Sequence, residues 1–457
     1  MNLALMTTVL TRRSELRRHE RWSRVRLESY QAAALREMRD FAYARSPFYQ
    51  QFHRGLTSRP LHELPVLTKT ELMERFYDIV TDRKVRRADA EAYLQGLEHG
   101  ERFLDRYWVA STSGSTGRRG LFLWDSDEWA TVLASYSRAN EWAGVAPGLG
   151  RRMRLAVVSS TAPWHQSALV GATVRGALVP TIRIDSGEPI STIVERLNAF
   201  RPACLVAYAS MARLLAEEQL AGRLRISPGA VMSASEVLTA VSRRRIEEAW
   251  GVVPFDTYVA TETAGIASEC SQHAGLHLHE DLVIAEPVDE AYLPVPPGVP
   301  AAKLLVTVLF SRTQPLIRYE MSDRVWLATR PCACGRVFAL LGGIEGRDEE
   351  MIQLAGMDGR TVLIHPVVFH RALATVPARE WQVVQEGPAL RVLVAEPKPG
   401  FDEHVLEDAL GRALAAAGAL VPSVHVQRVE HIPRTAAGKA QLVRAEARRD
   451  DPRRAGL

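Results

Sequence analysis

At 457 residues, with 47% hydrophobic and 24% charged positions, the chain is too apolar for disorder and too long for one core, so more than one domain is expected. Its 57 basic and 53 acidic residues leave a formal charge of +4, which by itself calls for neither nucleic acid nor an anionic membrane. No apolar run approaches the roughly 20 residues a bilayer needs. Met1–Leu10 lacks a basic n-region and a following cleavage site. The four cysteines (Cys204, Cys270, Cys332, Cys334) include a Cys-x-Cys pair that suits a metal better than a local disulfide. A cytoplasmic enzyme, monomeric or homodimeric, is the expectation.

Arginines gather in Thr11–Arg26 and Arg444–Arg454, without the interleaved aromatics of a nucleic-acid surface, and read as a solvated amphipathic helix and a tail. Glu15–His53 reads as helical from its mixed three and four spacings, and Leu67–Leu72 as a loop feeding a capped helix. From about Trp108 to Val259, apolar runs (Leu155–Val158, Leu178–Ile184, Ala203–Tyr208, Ala230–Met232) alternate with helical stretches such as Ile193–Phe200 and Met211–Ala221. That alternation predicts parallel strands with crossover helices, hence an α/β layered domain. Leu304–Leu309 and Asp323–Ala328 come with little helix between them and suggest a smaller, more antiparallel sheet. After Gly346 the pattern changes: a hairpin (Trp381–Gln385, Gly387-Pro388, Leu390–Ala395), a helix at Glu403–Ala417 and a strand at Val424–Val429. The fold expected is α/β, with a large multi-layer N-terminal domain (1–346) of parallel and mixed sheets, helices and a small β subdomain. A small α+β C-terminal domain (347–457) follows.

The segment carrying most chemistry is Ser111-Thr112-Ser113-Gly114-Ser115-Thr116-Gly117-Arg118-Arg119-Gly120, between two apolar runs. Glycines let backbone approach phosphates, hydroxyls donate to phosphate oxygens, and arginines add positive charge. The Walker A spacing is absent. Further on come Tyr258-Val259-Ala260-Thr261-Glu262, Leu316–Asp323, Gly346-Arg347-Asp348-Glu349 and Ile432–Lys439.

In this order the segments resemble the motifs of the adenylate-forming (ANL) superfamily, over most of the chain from about residue 108. The resemblance implies that Thr112, Ser113, Gly114, Ser115, Thr116 and Gly117 hold the phosphates of ATP, and that Tyr258 stacks on adenine. It further implies that Thr261 meets phosphate, Glu262 binds Mg²⁺, Asp323 accepts from the ribose hydroxyls and Arg347 contacts ribose or phosphate. Glu349 stands at the hinge of a mobile C-terminal lid, where aspartate or lysine is usual. Lys439 is the catalytic lysine, an ammonium that offsets charge developing at the α-phosphate. Glu236, in Ser233-Ala234-Ser235-Glu236, takes the place of a G-x-E near the adenine.

The run Glu269-Cys270-Ser271-Gln272-His273-Ala274-Gly275-Leu276-His277 and the later Cys332-Ala333-Cys334 are similar to phenylacetate-CoA ligases and coenzyme F390 synthetase-like proteins. Cys270, His273, Cys332 and Cys334 make a Cys₃His set suited to structural zinc, with His277 and His279 as rivals of His273. Trp164, His165, Tyr208, Ala264 and Gly265 are the implied acyl-substrate residues, a core role for Trp164 and Tyr208 being equally open. The function implied is ATP-dependent activation of an aryl or arylalkyl carboxylic acid to an acyl-adenylate, then transfer to coenzyme A. Gly356–Pro366 departs from the branch. A carrier-protein thiol or an amine as acceptor therefore stays open, as does a catalytically inactive nucleotide-binding partner protein.

Overall fold

A computed structural model describes residues 3–97, 102–112, 120–145, 153–173, 179–347, 352–356, 361–364, 368–369, 372–373, 376–433 and 442–444. The chain divides into two units, Met1–Ile344 and Glu345–Leu457.

In the first unit, β1 (Trp108–Ser111) and β2 (Leu121–Trp124) form an antiparallel hairpin, Ser111 opposite Leu121. The predicted alternation produces β3 (Leu155–Ser159), β4 (Thr181–Asp185), β5 (Cys204–Ala207), β6 (Ala230–Ala234) and β7 (Phe255–Ala260), all parallel, in the order β4-β3-β5-β6-β7. Their near-continuous apolar runs suit strands covered on both faces. The helices Ile190–Phe200 and Ala209–Leu220 bury Ile193, Leu197, Leu215 and their neighbours against Val158, Ile184, Leu205 and Val231. β8 (Ala264–Glu269) and β9 (Leu276–Leu278) continue the sheet antiparallel. β10 (Val283–Val288), β11 (Lys303–Val308) and β12 (Tyr319–Met321) form a separate three-stranded antiparallel sheet. β13 (Asp323–Leu327), expected there, instead edges the nine-stranded main sheet beside β14 (Leu340–Arg347). A single residue, Ser322, separates β12 from β13, so the chain changes sheet with no loop for a sequence pattern to register.

The second unit holds a hairpin of β15 (Ile352–Ala355) and β16 (Thr361–Ile364), then β17 (Ala378–Glu386), β18 (Ala389–Pro397), β19 (Val424–Val429) and β20 (Val443–Arg444) in the order β19-β18-β17-β20. Gly387, at φ 59, makes the tight β17–β18 turn, a backbone that favours glycine. The helix Glu403–Ala416 buries Leu406, Leu410 and Leu414. Among the described residues no helix is long and apolar enough to cross a membrane.

The stretch Glu15–His53 is helical as expected, divided among three helices: Leu3–His19, Arg24–Arg45 and Pro47–Phe52. Ser23 and Ser46 cap the second and third, accepting from the amides of Arg26 and Tyr49. Pro47 takes the first helical position, where its missing N–H costs nothing. The arginine-rich Thr11–Arg26 is largely the solvated face expected, with Arg17, Arg18, Arg21, Arg24 and Arg26 exposed, and Arg13 is the exception. Arg13 is buried and pairs with Glu20 (2.8 Å) and Glu141 (2.5 Å), while Arg17 also reaches Glu141 (2.7 Å). The shared partner Glu141 lies far along the chain, so sequence spacing does not reveal it.

Behind this face Arg138, fully buried on the helix Ser126–Trp142, donates to both oxygens of buried Asp281 at 2.7 and 2.6 Å. His19 Nδ1 lies 2.8 Å from the same carboxylate. Burial alone would raise the Asp281 carboxyl, but the Arg138 charge and its hydrogen bonds carry it well below the usual carboxylate range. A depressed native pKa means stabilisation that is full above the unfolded value of about 3.9 and lost as pH falls through the native one. Arg138→Met should cost about 3–5 kcal/mol, because it strands a buried carboxylate. Denaturant unfolding at pH 7 would read this as a lower midpoint, and Arg138→Met with Asp281→Leu should recover most of it.

Candidate active site and metal cluster

The phosphate-loop candidate is mounted on the β1–β2 hairpin. Beyond Ser111, the Thr112 amide donates to the Gly120 carbonyl (2.9 Å), and the Gly120 amide donates to Thr112 Oγ1 (2.8 Å). Thr112 thus closes the neck of the loop. A Cβ on Gly120 would lie 2.8 Å from the Phe122 ring, so a side chain here would have to displace that ring. Ser113–Gly117, Glu349 and Lys439 lie outside the described residues, and of Arg347 only the backbone, at the end of β14, lies within them.

Two other predicted segments meet this hairpin through hydrogen bonds. The Ser111 amide donates to the Trp164 carbonyl (2.9 Å), which sets the Ser159–Gln166 stretch against β1. Gln166, almost fully buried, then donates from Nε2 to the Thr261 carbonyl (3.1 Å) and accepts from the Tyr136 hydroxyl (2.9 Å). Thr261 and Glu262 form the turn between β7 and β8, where the register shifts between Tyr258 and Val259 and Ala264 takes φ 62. Bulges of this kind re-aim side chains next to sites. Tyr258 is buried on β7. Gln166 ends the Ser159–Gln166 stretch that the resemblance implies for the acyl substrate, whereas Tyr136 belongs to no motif and no sequence signal singles it out.

Asp323 opens β13 and is buried. The turn leading there is held by Arg318, at φ 51. Its Nη1 donates to the Leu64 carbonyl, its Nε to Glu286 Oε2 (3.3 Å) and its amide to Thr307 Oγ1 (3.0 Å). Glu236 accepts from the Ser210 amide (2.8 Å) in the first turn of the helix Ala209–Leu220, where a carboxylate suits the helix dipole.

The Ser159–Gln166 stretch is held by hydrogen bonds from neighbouring elements. Ser160 donates its amide to the Tyr208 hydroxyl (3.0 Å), and Asp185 accepts from the amide (2.7 Å) and hydroxyl (2.6 Å) of Thr161. Arg183 donates to the carbonyls of Ala168 (2.6 Å) and Ser160 (3.3 Å). Burial pushes the Tyr208 phenol up to about 12, so it stays neutral. Tyr208 belongs to the core packed on β3–β6, and Trp164 packs against the other core of this unit. The His165 ring sits 6.3 Å from that of Trp164. At Gly265 a Cβ would lie 3.0 Å from the His279 ring and 3.2 Å from Ser135 Oγ. The missing side chain therefore lets fully buried His279 close against β8, and burial pushes that imidazole down to about 3.

Cys270, His277, Cys332 and Cys334 present ligand atoms that all lie within 4.8 Å of one another. Cys270 and Cys332 sulfurs are 3.7 Å apart, and Cys334 Sγ is 3.3 Å from His277 Nε2. A tetrahedron with metal–sulfur bonds of about 2.3 Å and metal–nitrogen bonds of about 2.0–2.1 Å has edges of about 3.8 and 3.6 Å. The donor set fits a thiophilic metal. His273 is not part of it: its Nδ1 lies 3.1 Å from Glu269 Oε2 and its ring packs 4.5 Å from Phe255. It sits in the turn at φ 47, its amide bonded back to Cys270, whereas His277 lies on β9 opposite Leu340 of β14. Cys204 lies apart on β5, buried, its thiol pushed up to about 12.

No family model matches the chain. It is 26% identical over 405 residues to the phenylacetate-coenzyme A ligase of Thermus thermophilus, covering 82% of this chain and 83% of that one. To the phenylacetate-coenzyme A ligase of Aromatoleum evansii it is 26% identical over 266 residues, 55% of this chain and 56% of the relative. A solved structure of 2-hydroxyisobutyryl-CoA ligase, in the postadenylation state with R3-HIB-AMP, matches with a TM-score of 0.73 at 20% identity. That match covers 94% of this chain and 91% of the other. The chain is thus similar in sequence to phenylacetate-coenzyme A ligases and shares the fold of 2-hydroxyisobutyryl-CoA ligase.

Proposed function

We propose that the chain activates a carboxylic acid with ATP to an acyl-adenylate and passes the acyl group to coenzyme A. The observation that carries this reading is the chain of hydrogen bonds from the neck of the Ser111–Gly120 loop, through Trp164 and Gln166, to the Thr261–Glu262 turn. It holds together a phosphate-binding loop, an acyl segment and a nucleotide-binding turn that lie far apart in sequence.

In the first half-reaction a carboxylate oxygen attacks the α-phosphorus, the α–β phosphoanhydride bond breaks and pyrophosphate leaves. Residues Thr112–Gly117 hold the phosphates, Tyr258 covers the adenine, and Asp323 and Arg347 fix the ribose. Bound Mg²⁺ supplies charge neutralisation between the phosphates. Glu262 fits its preference for carboxylate oxygen, and the Thr261 hydroxyl lies beside it in sequence. Lys439 stabilises the charge on the α-phosphate oxygens. In the second half-reaction the lid turns about Glu349, the thiol of coenzyme A attacks the acyl carbonyl carbon and AMP leaves. Trp164 and His165 flank the acid, and Gly265 and Ala264 form the strand end it abuts. Zinc suits the Cys270–His277–Cys332–Cys334 cluster as a structural ion, tying the turn after β8 and β9 to the segment before β14.

ATP–pyrophosphate exchange over a panel of aryl and alkyl acids, repeated with coenzyme A, tests the reading. Exchange with an aryl acid and AMP release that depends on coenzyme A are expected. Exchange without such dependence would point to a carrier thiol or an amine, and a flat response to every acid would remove the function. Lys439→Ala should lower exchange at least about 100-fold while transfer from supplied acyl-AMP persists. For the metal, one zinc per chain is expected by elemental analysis. Cys334→Ser should lose most of it and lower the melting temperature, while His273→Ala should keep it.

A further inference from the structure

The hairpin that carries the Ser111–Gly120 loop has an outer edge, and one side chain fills it. Gln314, 2% exposed, accepts from the Leu123 amide at Oε1 (3.2 Å) and donates from Nε2 to the Leu121 carbonyl (3.1 Å). Its amide takes both backbone groups that a neighbouring strand would take. Leu121 directly follows Gly120, whose amide and carbonyl are already committed to Thr112 in the neck.

Gln314 is itself held in place. The amides of Arg312 and Thr313 both donate to Glu128 Oε1, the second at 2.6 Å. Glu128 Oε2 accepts from the Asp125 amide (2.8 Å) in the capping box that starts the helix Ser126–Trp142, one residue after β2. The result is a closed ring: β2, the Asp125–Glu128 cap, residues 312–313, Gln314, and back to β2. Downstream of Gln314, buried Leu316, Ile317 and Arg318 lead to β12 and Asp323. A leucine would fill the same volume without a buried amide to satisfy. The polar side chain is explained by what it holds.

We propose that Gln314 is a positioning residue for nucleotide binding: its amide fixes the β2 edge, and so the neck of the phosphate loop, relative to the strand that presents Asp323. This rests on the functional reading above. Gln314→Leu leaves the Leu121 carbonyl and the Leu123 amide unpaired and frees the hairpin to shift.

Calorimetric titration of ATP, with pyrophosphate exchange to give KM for ATP and for the acid, tests it. For Gln314→Leu the ATP Kd and KM should rise at least about tenfold while the acid KM changes less than about threefold. Gln314→Glu, which keeps the acceptor for Leu123 and loses the donor for Leu121, should fall between. A Gln314→Leu protein that melts lower yet binds ATP like the wild type would show a purely structural glutamine and overturn the proposal. Should Gln314→Leu not fold, Gln314→Glu decides by the same split: a selective rise in the ATP values supports the role, and unchanged values overturn it. A wild-type protein that binds no ATP overturns the function itself, and the role of Gln314 with it.

Discussion

A two-stranded sheet is marginal on its own, and each of its edges presents backbone groups that need partners. The hairpin of β1 and β2 meets that requirement with parts of the molecule distant in sequence. Backbone from the Ser159–Gln166 stretch takes one edge at Ser111, and a glutamine side chain takes the other at Leu121 and Leu123. Satisfying the hairpin therefore also gathers the segments of the candidate site. The segments around residues 111, 164 and 314 cannot move independently without exposing an unpaired amide or carbonyl in the interior.

A second organising line runs along one side of β9 and its extension. Successive odd positions face the helix Ser126–Trp142 in turn: the His277 and His279 rings stand edge-on to Trp142, and Asp281 pairs with Arg138. Alternation along β9 and the next residue puts His277 and His279 on one face, and the turn that follows, with the Leu282 and Val283 amides bonded to the His279 carbonyl, brings Asp281 to the same helix. The cysteine cluster, the floor beneath Gly265 and the buried ion pair thus share a single support. His279 is neutral between the two charged groups of the Arg138–Asp281 pair and the cluster.

The parallel strands were legible in the sequence because buried strands read as short apolar runs between helices, and β3, β5 and β6 fall where those runs lie. The β17–β18 hairpin was announced by its Gly-Pro turn. Elsewhere the signal was absent for identifiable reasons. The first helices break at serine caps inside a continuous apolar pattern, because a cap is one side chain and leaves the periodicity on either side intact. Asp323 was legible by motif, but the sheet its strand joins was not, since one residue carries the chain across. The cluster's cysteines were found, but His273 was preferred over its rival His277, because three histidines crowd Cys270–Glu280 and the turn at His273 carries that side chain away from the cluster. The supporting residues Gln166, Gln314, Arg183 and Arg318 are single polar side chains that each bond a backbone group, and a backbone partner leaves no mark on composition or spacing.

The arginine-rich first helix carries a practical consequence for anyone shortening the protein. A terminal, positively charged helix invites trimming, because termini are where truncation is usually tolerated. Here buried Arg13 and half-buried His19 face Glu141 and Asp281, and exposed Arg17 reaches Glu141 from the rim. Cutting before Arg24 would remove no loose tail. It would uncover the back of the helix Ser126–Trp142, leave the Glu141 carboxylate without either of its guanidinium partners, and turn the inner wall of the first unit into its outer surface.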